Sequence, residues 1–508
     1  MWRRGVVLAV TGSCLALSAA AAFGQTPAPR QLAANEPDPL TPGFPIWEPS
    51  IAVGDDRVVT AYIVGGSPLR IGYSIWDISL GKGTQGIILG PGGADSACDP
   101  SVVYDPTHDE FFVLARSGSK IRLAKLASGA TQFTLWTNIV DPQGPFQPRN
   151  DKPWLLRGEL TAFGREYYAT YWNEGGFWYL RSTDSGQTWK GDQILIDGQQ
   201  VLGWPIAMQP TVFDARALFA VYVKEQDGID GAELRFVRGT DDSDDPNAPY
   251  VSFQELRLPP PPGLGPIPPD EDGGPLVVNL KRGYVNFPPV AFQAPGTFQI
   301  QTVPWLVADP TSASRLYLVY QDTATSDPND ADVNVYCQVL AKNSATQWTV
   351  GSRVQVNDAL ATVSESDQFL PVPYVDDVGT LHVIYYDDRR FTDPNDPNAP
   401  PSDAQPDGSA TAFPKFDVYY AFSTNNGLTF EEGQLLFGNP PLVQPNEAVL
   451  SLAVLDGWPF GKIGEYVGMA GFGDDIWTAY TGSSRYELTF NPDSNPNVIW
   501  SSRIDLGP

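Results

Sequence analysis

Ionisable side chains recur at comparable points in this sequence, either just before an apolar run or just after the next one. Arginine guanidinium groups bind carboxylates through paired hydrogen bonds, and two carboxyl groups can flank a glycosidic bond and move its protons. These residue types at these points make them candidates for a site, although they could equally form structural salt bridges. The candidate catalytic residues are Asp151, Asp388, Arg389, Arg390 and Arg485. The candidate binding residues are Lys152, Asp99, Arg116 and Glu174, with Glu48, Glu225 and Asp322 at similar points.

The apolar runs form a repeat that would position these residues. A proline followed by a strand-like run recurs six times, and each copy continues through a turn into a second run rich in β-branched and aromatic residues. The prolines are Pro49, Pro100, Pro153, Pro210, Pro304 and Pro371. The second runs cover residues 58–63, 111–115, 167–172, 218–223, 316–320 and 381–386. A seventh copy, without the proline, starts at Glu465.

Strands at this density indicate an all-β protein, since 48 glycines and 48 prolines interrupt the chain and no long segment has a helical period. A repeated strand unit that cannot bury both faces alone is typical of a propeller blade. The sequence predicts a β-propeller of four-stranded blades, with seven blades favoured and six as the alternative. Because the last copy ends soon after its third strand, we expect residues 30–35 to supply the outer strand and close the ring.

Residues 1–24 are predicted to be a secretory signal peptide, because Arg3 and Arg4 precede an apolar stretch that ends in small residues. Residues 25–508 would then form a single propeller domain with proline-rich insertions at about 259–300 and 391–414. No other apolar run is long enough for a membrane span, so we expect secretion to the extracellular space or the periplasm. The net charge of −27 at pH 7 argues against nucleic acid as a partner.

Two cysteines, Cys98 and Cys337, follow the predicted signal peptide and fall in distant repeats. Their count alone does not establish a disulfide. We expect two buried thiols in preference to a bridge.

Metal ligands are sparse in this sequence. Loops rich in Asp and Asn occur at 241–247, 327–334 and 393–398, and oxygen ligands at alternate positions suit Ca²⁺, although Asp-Pro-Asn is also ordinary turn chemistry. Only Asp327, Asp330 and Asp332 have a ligand-like spacing. The predicted cofactor is therefore none, with Ca²⁺ as the alternative. His108 and His382 stand alone, which argues against a histidine metal centre.

Two segments match the Asp-box pattern Ser-x-Asp-x-Gly-x-Thr-Trp. Residues 182–189 match it at every defined position, whereas residues 423–430 have Asn for Asp and Phe for Trp. In such a turn the carboxylate or amide accepts backbone N–H bonds, the glycine takes a positive φ and the aromatic ring packs on the blade. The matching residues are Ser182, Asp184, Gly186, Thr188 and Trp189, then Ser423, Asn425, Gly427, Thr429 and Phe430. We call the two segments the first and second Asp-box turns.

On these motifs the chain resembles the sialidase-like (BNR/Asp-box repeat) superfamily. It looks most like secreted bacterial members that carry Asp-Lys-Pro-Trp, here residues 151–154, and Tyr-Tyr-Asp-x-Arg, here residues 385–389. The resemblance covers most of the chain and implies that Asp-box turns are structural and lie between the third and fourth strands of a blade. Propeller connectivity puts the starts of the first strands, and the long insertions, on the opposite face. We therefore expect that face to bind the ligand.

The resemblance also implies a chemistry for that face. Sialidases hold the substrate carboxylate with clustered arginines, use a tyrosine activated by a glutamate as nucleophile and use an aspartate as acid/base. Arg389 or Arg390, with Arg485 and Arg116, would supply such a cluster. This sequence departs from the pattern, because the Arg-Ile-Pro motif of the first sialidase arginine is absent and no Tyr–Glu pair is evident.

Several functions therefore stay open. One is an exo-α-sialidase-like glycoside hydrolase, and another is a different glycosidase or a lyase that uses a carboxyl pair such as Asp99 and Asp388. In a third, the ionic residues form salt bridges around the central channel of a non-catalytic binding or cell-surface interaction propeller. The expected partner is an extracellular carbohydrate or glycoconjugate, and the sequence indicates no oligomeric state.

Overall fold

The computed structural model describes residues 30–33, 46–140, 150–241, 251–255, 277–323, 333–387, 417–435, 467–483 and 497–505, with internal gaps. All regular secondary structure in this part of the chain is β-strand. No helix there is long and apolar enough to cross a membrane. The predicted all-β class is confirmed.

Three sheets near the N-terminus each use four consecutive strands, whereas β1 (Arg30–Ala33) joins a sheet at the other end of the chain. The first contains β2 (Ile46–Val53), β3 (Arg57–Val64), β4 (Arg70–Asp77) and β5 (Lys82–Ile87). The second contains β6 (Cys98–Asp105), β7 (Glu110–Ser117), β8 (Lys120–Leu126) and β9 (Thr137–Val140). The third contains β10 (Asp151–Thr161), β11 (Gly164–Asn173), β12 (Gly176–Ser182) and β13 (Lys190–Gln193).

The fourth sheet is larger because short strands extend a four-stranded core. The short strands before the core are β14 (Leu195–Ile196) and β15 (Gln199–Gln200). The core consists of β16 (Gln209–Phe213), β17 (Ala217–Glu225), β18 (Ala232–Asp241) and β19 (Val251–Glu255), and β20 (Val277–Leu280) pairs with β18. A separate hairpin contains β21 (Tyr284–Phe287) and β22 (Phe298–Gln301). Part of the insertion predicted at 259–300 therefore forms strands.

Three further sheets complete the described architecture. The fifth contains β23 (Trp305–Ala308), β24 (Arg315–Thr323), β25 (Val333–Lys342), β26 (Trp348–Val350) and β27 (Val354–Gln355). The sixth contains β28 (Gln368–Val375), β29 (Leu381–Asp387), β30 (Asp417–Ser423) and β31 (Glu431–Leu435). The seventh contains β32 (Gly468–Phe472), β33 (Asp475–Ser483), β34 (Asn497–Asp505) and, at its outer edge, β1.

These seven sheets are the blades of a β-propeller. Among the described strands, the first strand of each sheet contacts the first strand of the next, in the order β2, β6, β10, β16, β23, β28, β32 and back to β2. The first strands therefore form a closed inner ring. Their number equals the number of strand-pair copies counted in the sequence, and we number the sheets as blades 1–7 in chain order.

The N-terminal strand closes the ring. Arg30 and Gln31 of β1 pair antiparallel with Ser501 and Trp500 of β34, so the outer strand of blade 7 comes from the opposite end of the chain. This confirms the closure predicted from the missing fourth strand of the last repeat.

Hydrogen bonds and apolar packing hold neighbouring blades together. All eight residues of β3 are buried, because a strand inside a blade is covered on both faces. Between the inner strands, Ser50 Oγ accepts a hydrogen bond from Val102 N, and Ser101 Oγ accepts one from Leu155 N, both at 3.0 Å. The repeated Pro-Ser dipeptide thus links blade 1 to blade 2 and blade 2 to blade 3.

The two cysteines of the described chain, Cys98 in blade 2 and Cys337 in blade 5, are free and buried. The prediction of two buried thiols is confirmed. Burial raises the pKa of the Cys337 thiol well above its ordinary value, which keeps it protonated.

Candidate functional site

The first strands of blades 1, 2 and 3 share an irregularity at their starts. Glu48, Asp99 and Lys152 each directly precede a proline and have positive φ angles of 54°, 55° and 45°. At each of them the register with the second strand slips, which marks a β-bulge. A non-glycine residue in a sparsely populated conformation of this kind costs about 1–3 kcal/mol and persists only where its surroundings hold it. The bulge brings three charged side chains of three blades together.

Ion pairs join these residues into one group. Lys152 Nζ lies 3.1 Å from Asp99 Oδ1 and 3.8 Å from Glu48 Oε2. From the end of β7, Arg116 Nε lies 2.6 Å from Asp99 Oδ2 and 3.2 Å from Asp151 Oδ1. Arg116 Nε therefore joins the carboxyl groups of Asp99 and Asp151, which neighbour each other. We call these five residues the strand-start cluster.

The two aspartates of the strand-start cluster have different surroundings. The Asp99 side chain is 5% exposed, and burial alone would raise its pKa, but Lys152 and Arg116 outweigh burial and lower it. The Asp151 side chain is 26% exposed, and burial, followed by the negative charge of Asp99, raises its pKa to about 6. A carboxyl group beside a carboxylate ionises less readily, so Asp151 is the weaker acid of the two.

The guanidinium of Arg116 is held in place from several sides. Its Nε donates to Cys98 Sγ at 2.8 Å, and its Nη1 donates to the backbone oxygen of Asn150 at 3.4 Å. Asn150 is anchored in turn, since its Nδ2 donates to Ser119 O at 2.5 Å. Although burial lowers the pKa of Arg116, its interactions with Asp99, Cys98 and Asp151 together outweigh burial and raise it, so this side chain stays cationic. Arg116 is engaged by carboxylates of its own protein.

This arrangement limits the chemistry of the strand-start cluster. Arg116 does not act as an unoccupied clamp for a substrate carboxylate. Both oxygens of Asp99 are also occupied by Lys152 and Arg116, so Asp99 is not a free second carboxyl group of a glycosidase pair with Asp151. What the cluster provides is a partly exposed carboxyl group with a raised pKa beside a fixed carboxylate. That is the environment of a general acid.

Both Asp-box turns have the hydrogen bonds that their sequences predict. In the first, Asp184 Oδ1 accepts bonds from Ser182 Oγ and Thr188 N at 2.8 Å each. Trp189 Nε1 donates to Gly186 O at 3.1 Å, and Gly186 has a φ of 80°. The second turn repeats the pattern: Asn425 Oδ1 accepts bonds from Ser423 Oγ at 2.9 Å and from Thr429 N at 3.0 Å. Asp184 and Asn425 are bound within their own turns.

The Asp-box turns and the strand-start cluster lie at opposite ends of the strands. Asp151 begins β10, and the other end of that strand, Thr161, pairs with Gly164 of β11. Next to this hairpin, Ser185 N of the first Asp-box turn donates to Arg165 O at 3.1 Å. The two features therefore lie on opposite faces of the propeller, as the connectivity predicts.

Several predicted site residues lie outside the described residues. These are Glu174, Asp388, Arg389, Arg390, Arg485 and the calcium candidates Asp327, Asp330 and Asp332. Asp322 is described: it is buried at the end of β24, and its Oδ2 lies 3.1 Å from Arg353 Nη1. Among the described residues, no group of three or more His, Cys, Asp and Glu side chains is arranged to hold a metal ion. The structure thus brings together five of the predicted residues, those of the strand-start cluster.

Two supporting residues were not predicted from the sequence. Cys98 and Asn150 hold Arg116, and each directly precedes an aspartate of the strand-start cluster in the chain. Cys98 lies two residues before Pro100 and Asn150 three residues before Pro153, so no common position relative to the repeated proline marks them.

No family model matches the chain, and no curated protein is similar to it in sequence. Among solved structures, it is similar to the phage phi92 endosialidase with a TM-score of 0.40 and 9% identity, over 92% of this chain and 68% of that chain. An Aleuria aurantia lectin in complex with α-methyl-L-fucoside gives a TM-score of 0.39 and 8% identity, over 79% and 97% of the two chains.

A third similar structure is an α-L-arabinofuranosidase from Podospora anserina in complex with cellotriose. Its TM-score is 0.32 at 11% identity, over 66% of this chain and 99% of that chain. All three TM-scores lie well below 0.5. The propeller is therefore identified from its own strand pairing and its closed inner ring.

Proposed function

We propose that this chain is a secreted, sialidase-like propeller that binds extracellular carbohydrate on the face where the first strands begin, and that it cleaves a glycosidic bond with Asp151 as the proton donor. The observation that carries the proposal is the carboxyl pair of Asp99 and Asp151. Burial and the charge of Asp99 raise the pKa of Asp151 to about 6, and its side chain is partly open to solvent. The two Asp-box turns and the predicted signal peptide support the family and the location.

The proposed reaction is a hydrolysis in which Asp151 acts first as acid and then as base. Its carboxyl proton passes to the leaving oxygen as the bond between that oxygen and the anomeric carbon breaks, and the oxygen keeps the electron pair. Water supplies the hydroxyl group to the anomeric carbon, and its remaining proton restores the Asp151 carboxyl group. The carboxylate that exists between these steps lies 3.2 Å from Arg116 Nε, which stabilises its charge.

A carboxylated sugar would need cations beyond the strand-start cluster. Arg116 and Lys152 are already paired with Asp99, Asp151 and Glu48. The remaining candidates for a carboxylate clamp are Arg389, Arg390 and Arg485, which are carried over from the resemblance. A sialic acid substrate depends on these three arginines.

A binding propeller without turnover is the second candidate. One observation favours it: both cations of the strand-start cluster are ion-paired at 2.6–3.8 Å, which is the pattern of a rigid structural network. Such a network would fix the shape of a binding surface and would leave the proton of Asp151 unused.

The two candidates are separated by turnover on a panel of fluorogenic sialosides, neutral glycosides and acidic polysaccharides. If Asp151 is the proton donor, Asp151→Asn lowers kcat by about 100-fold or more and leaves glycan binding in place, since removal of a general acid typically costs 10²–10⁴-fold. Asp56→Asn is the matched control, because Asp56 is exposed in the β2–β3 hairpin on the Asp-box face. Glycan binding without any turnover by the wild type would support the binding propeller.

A further inference from the structure

The residue with positive φ in the β-bulge at the strand starts does not have to be charged. In blade 6, Leu370 also directly precedes a proline, has a φ of 47° and is buried in the apolar core. Its backbone N donates to Gln321 Oε1 at 2.6 Å, so the backbone N–H of this residue has a hydrogen-bond partner that does not depend on a charged side chain. The charge on Asp99 at the corresponding position of blade 2 therefore has a reason other than the fold.

The contacts of Asp99 and Asp151 are unequal. Each oxygen of Asp99 has its own cation, since Oδ1 lies 3.1 Å from Lys152 Nζ and Oδ2 lies 2.6 Å from Arg116 Nε. Asp151 has an ion pair only with Arg116, at the longer distance of 3.2 Å, among the contacts of the described residues. The Asp151 carboxyl group also accepts a hydrogen bond from the backbone N of Lys152 at 3.1 Å, but that donor carries no charge. Of two neighbouring carboxyl groups, the one with fewer cations keeps a proton to higher pH.

We propose that Asp99 is a positioning residue, which stays ionised between Lys152 and Arg116 and thereby keeps a proton on Asp151 to higher pH. The role in catalysis rests on the proposed function of Asp151, whereas the location of the proton does not. The charged and titratable groups of the described chain that face this pair come from four strands. They are Glu48 on β2, Cys98 on β6, Arg116 on β7 and Lys152 on β10.

Lys152 contributes a second feature of the arrangement. Its ammonium group lies between Asp99 and Glu48 and is only 12% exposed, so it can neither leave the cluster nor serve a ligand without uncovering two carboxylates. The ionised state of Asp99 is therefore fixed by the fold. The charge of Asp99 therefore opposes the ionisation of Asp151 in the free protein, before any ligand binds.

The test is a carboxyl ¹³C NMR titration of the full-length protein labelled at aspartate. In the wild type, one resonance should titrate near pH 6 and be absent from Asp151→Asn, which assigns it. In Asp99→Asn the titration midpoint of Asp151 should fall by at least one pH unit. The neighbouring negative charge is lost, and Asp151 becomes the carboxylate that pairs with Arg116. The control Asp56→Asn should leave the midpoint unchanged. An unchanged midpoint in a folded Asp99→Asn variant would overturn the proposal.

A second variant keeps the proposal testable if Asp99→Asn does not fold. Lys152→Met retains the length of the side chain and removes the cation beside Asp99 Oδ1. Asp99 should then bind its proton at higher pH than in the wild type, so that a second aspartate resonance titrates. A titration identical to that of the wild type would contradict the proposal.

Turnover distinguishes this proposal from the proposed function. A shifted midpoint in Asp99→Asn, together with no turnover by the wild type on any glycan, would overturn the glycosidase and leave the protonation state standing. Glycan turnover that depends on Asp151, with the same midpoint in Asp99→Asn, would overturn the role of Asp99 and leave the glycosidase standing.

Discussion

At the scale of single residues, the strand-start cluster combines an ion-pair network with one carboxyl group, that of Asp151, whose ionisation is opposed by its surroundings. Lys152 and Arg116 stabilise Asp99 as a carboxylate. Asp151 is partly buried beside that carboxylate, which opposes its ionisation. Groups whose pKa values are moved apart by their surroundings are typical of sites for proton transfer.

This arrangement predicts that Asp151 lowers the stability of the protein at neutral pH. The folded protein holds a proton on Asp151 up to about pH 6, whereas the unfolded chain releases it near pH 4. Stability contributed by this group therefore falls as the pH rises from about 4 to about 6. Asp151→Asn has no such proton to lose. Its gain in unfolding free energy over the wild type should be larger at pH 8 than at pH 5 by about 1 kcal/mol.

Urea unfolding at the two pH values measures this difference. Asp56→Asn is again the control, and its effect should be the same at both. A variant that loses stability equally at pH 5 and pH 8 would show that Asp151 is not protonated in the folded state.

The sequence identified both members of the carboxyl pair but did not pair them. Asp99 and Asp151 lie in different repeats and meet only because β6 and β10 are neighbours in the inner ring. In contrast, all partners within an Asp-box turn lie inside eight residues. The hydrogen bonds of Asp184 therefore followed from the motif, whereas the partner of Asp151 required the assembled ring.

At the scale of elements, the inner strands of a blade were easier to predict than its outer strand. β3 is an unbroken apolar run and is buried throughout, whereas β5 is polar and largely exposed. An exposed edge strand has little apolar signal, so the bounds of the fourth strands of blades 1–3 were not predictable. The Asp-box turn in blade 3 marks the connection into that outer strand.

The first Asp-box turn is therefore expected to stabilise blade 3. Trp189 is half-buried, packs against Tyr167 with ring centroids 6.5 Å apart and donates a hydrogen bond to Gly186 O. Trp189→Ala should cost about 2 kcal/mol, less than the roughly 3–5 kcal/mol typical of a fully buried aromatic residue. Urea unfolding would measure the loss, with exposed Gln187→Ala in the same turn as the control. Glycan binding per folded molecule should not change, and its loss at unchanged stability would contradict a structural role.

At the scale of the whole molecule, the ring is closed by two ends of the chain. β1 supplies the outer strand of blade 7, so its pairing with β34 connects residues more than 460 positions apart in sequence. The missing fourth strand of the last repeat made this closure predictable. The insertion predicted at 391–414 lies outside the described residues, and a proline-rich segment without an apolar period gives no basis for predicting its course.

Loss of the closing strand should destabilise the propeller as a whole. Gln31 pairs with Trp500, and a variant that lacks residues 25–33 loses the whole closing strand. We expect a loss of about 2–4 kcal/mol, because several backbone hydrogen bonds contribute roughly 0.5–1.5 kcal/mol each. Calorimetry should record a lower Tm than in a control that lacks only residues 25–29. An unchanged Tm would mean that the pairing does not contribute to closure.

The pH dependence of kcat/KM on the best glycan substrate tests the central claim most directly, because this quantity reports the pKa of the essential groups of the free enzyme. If Asp151 is the proton donor, kcat/KM decreases above about pH 6, where Asp151 loses its proton. The decrease should be steepest between pH 6 and pH 8 and should be missing from the residual activity of Asp151→Asn. A flat or rising profile over that range in the wild type would contradict the account.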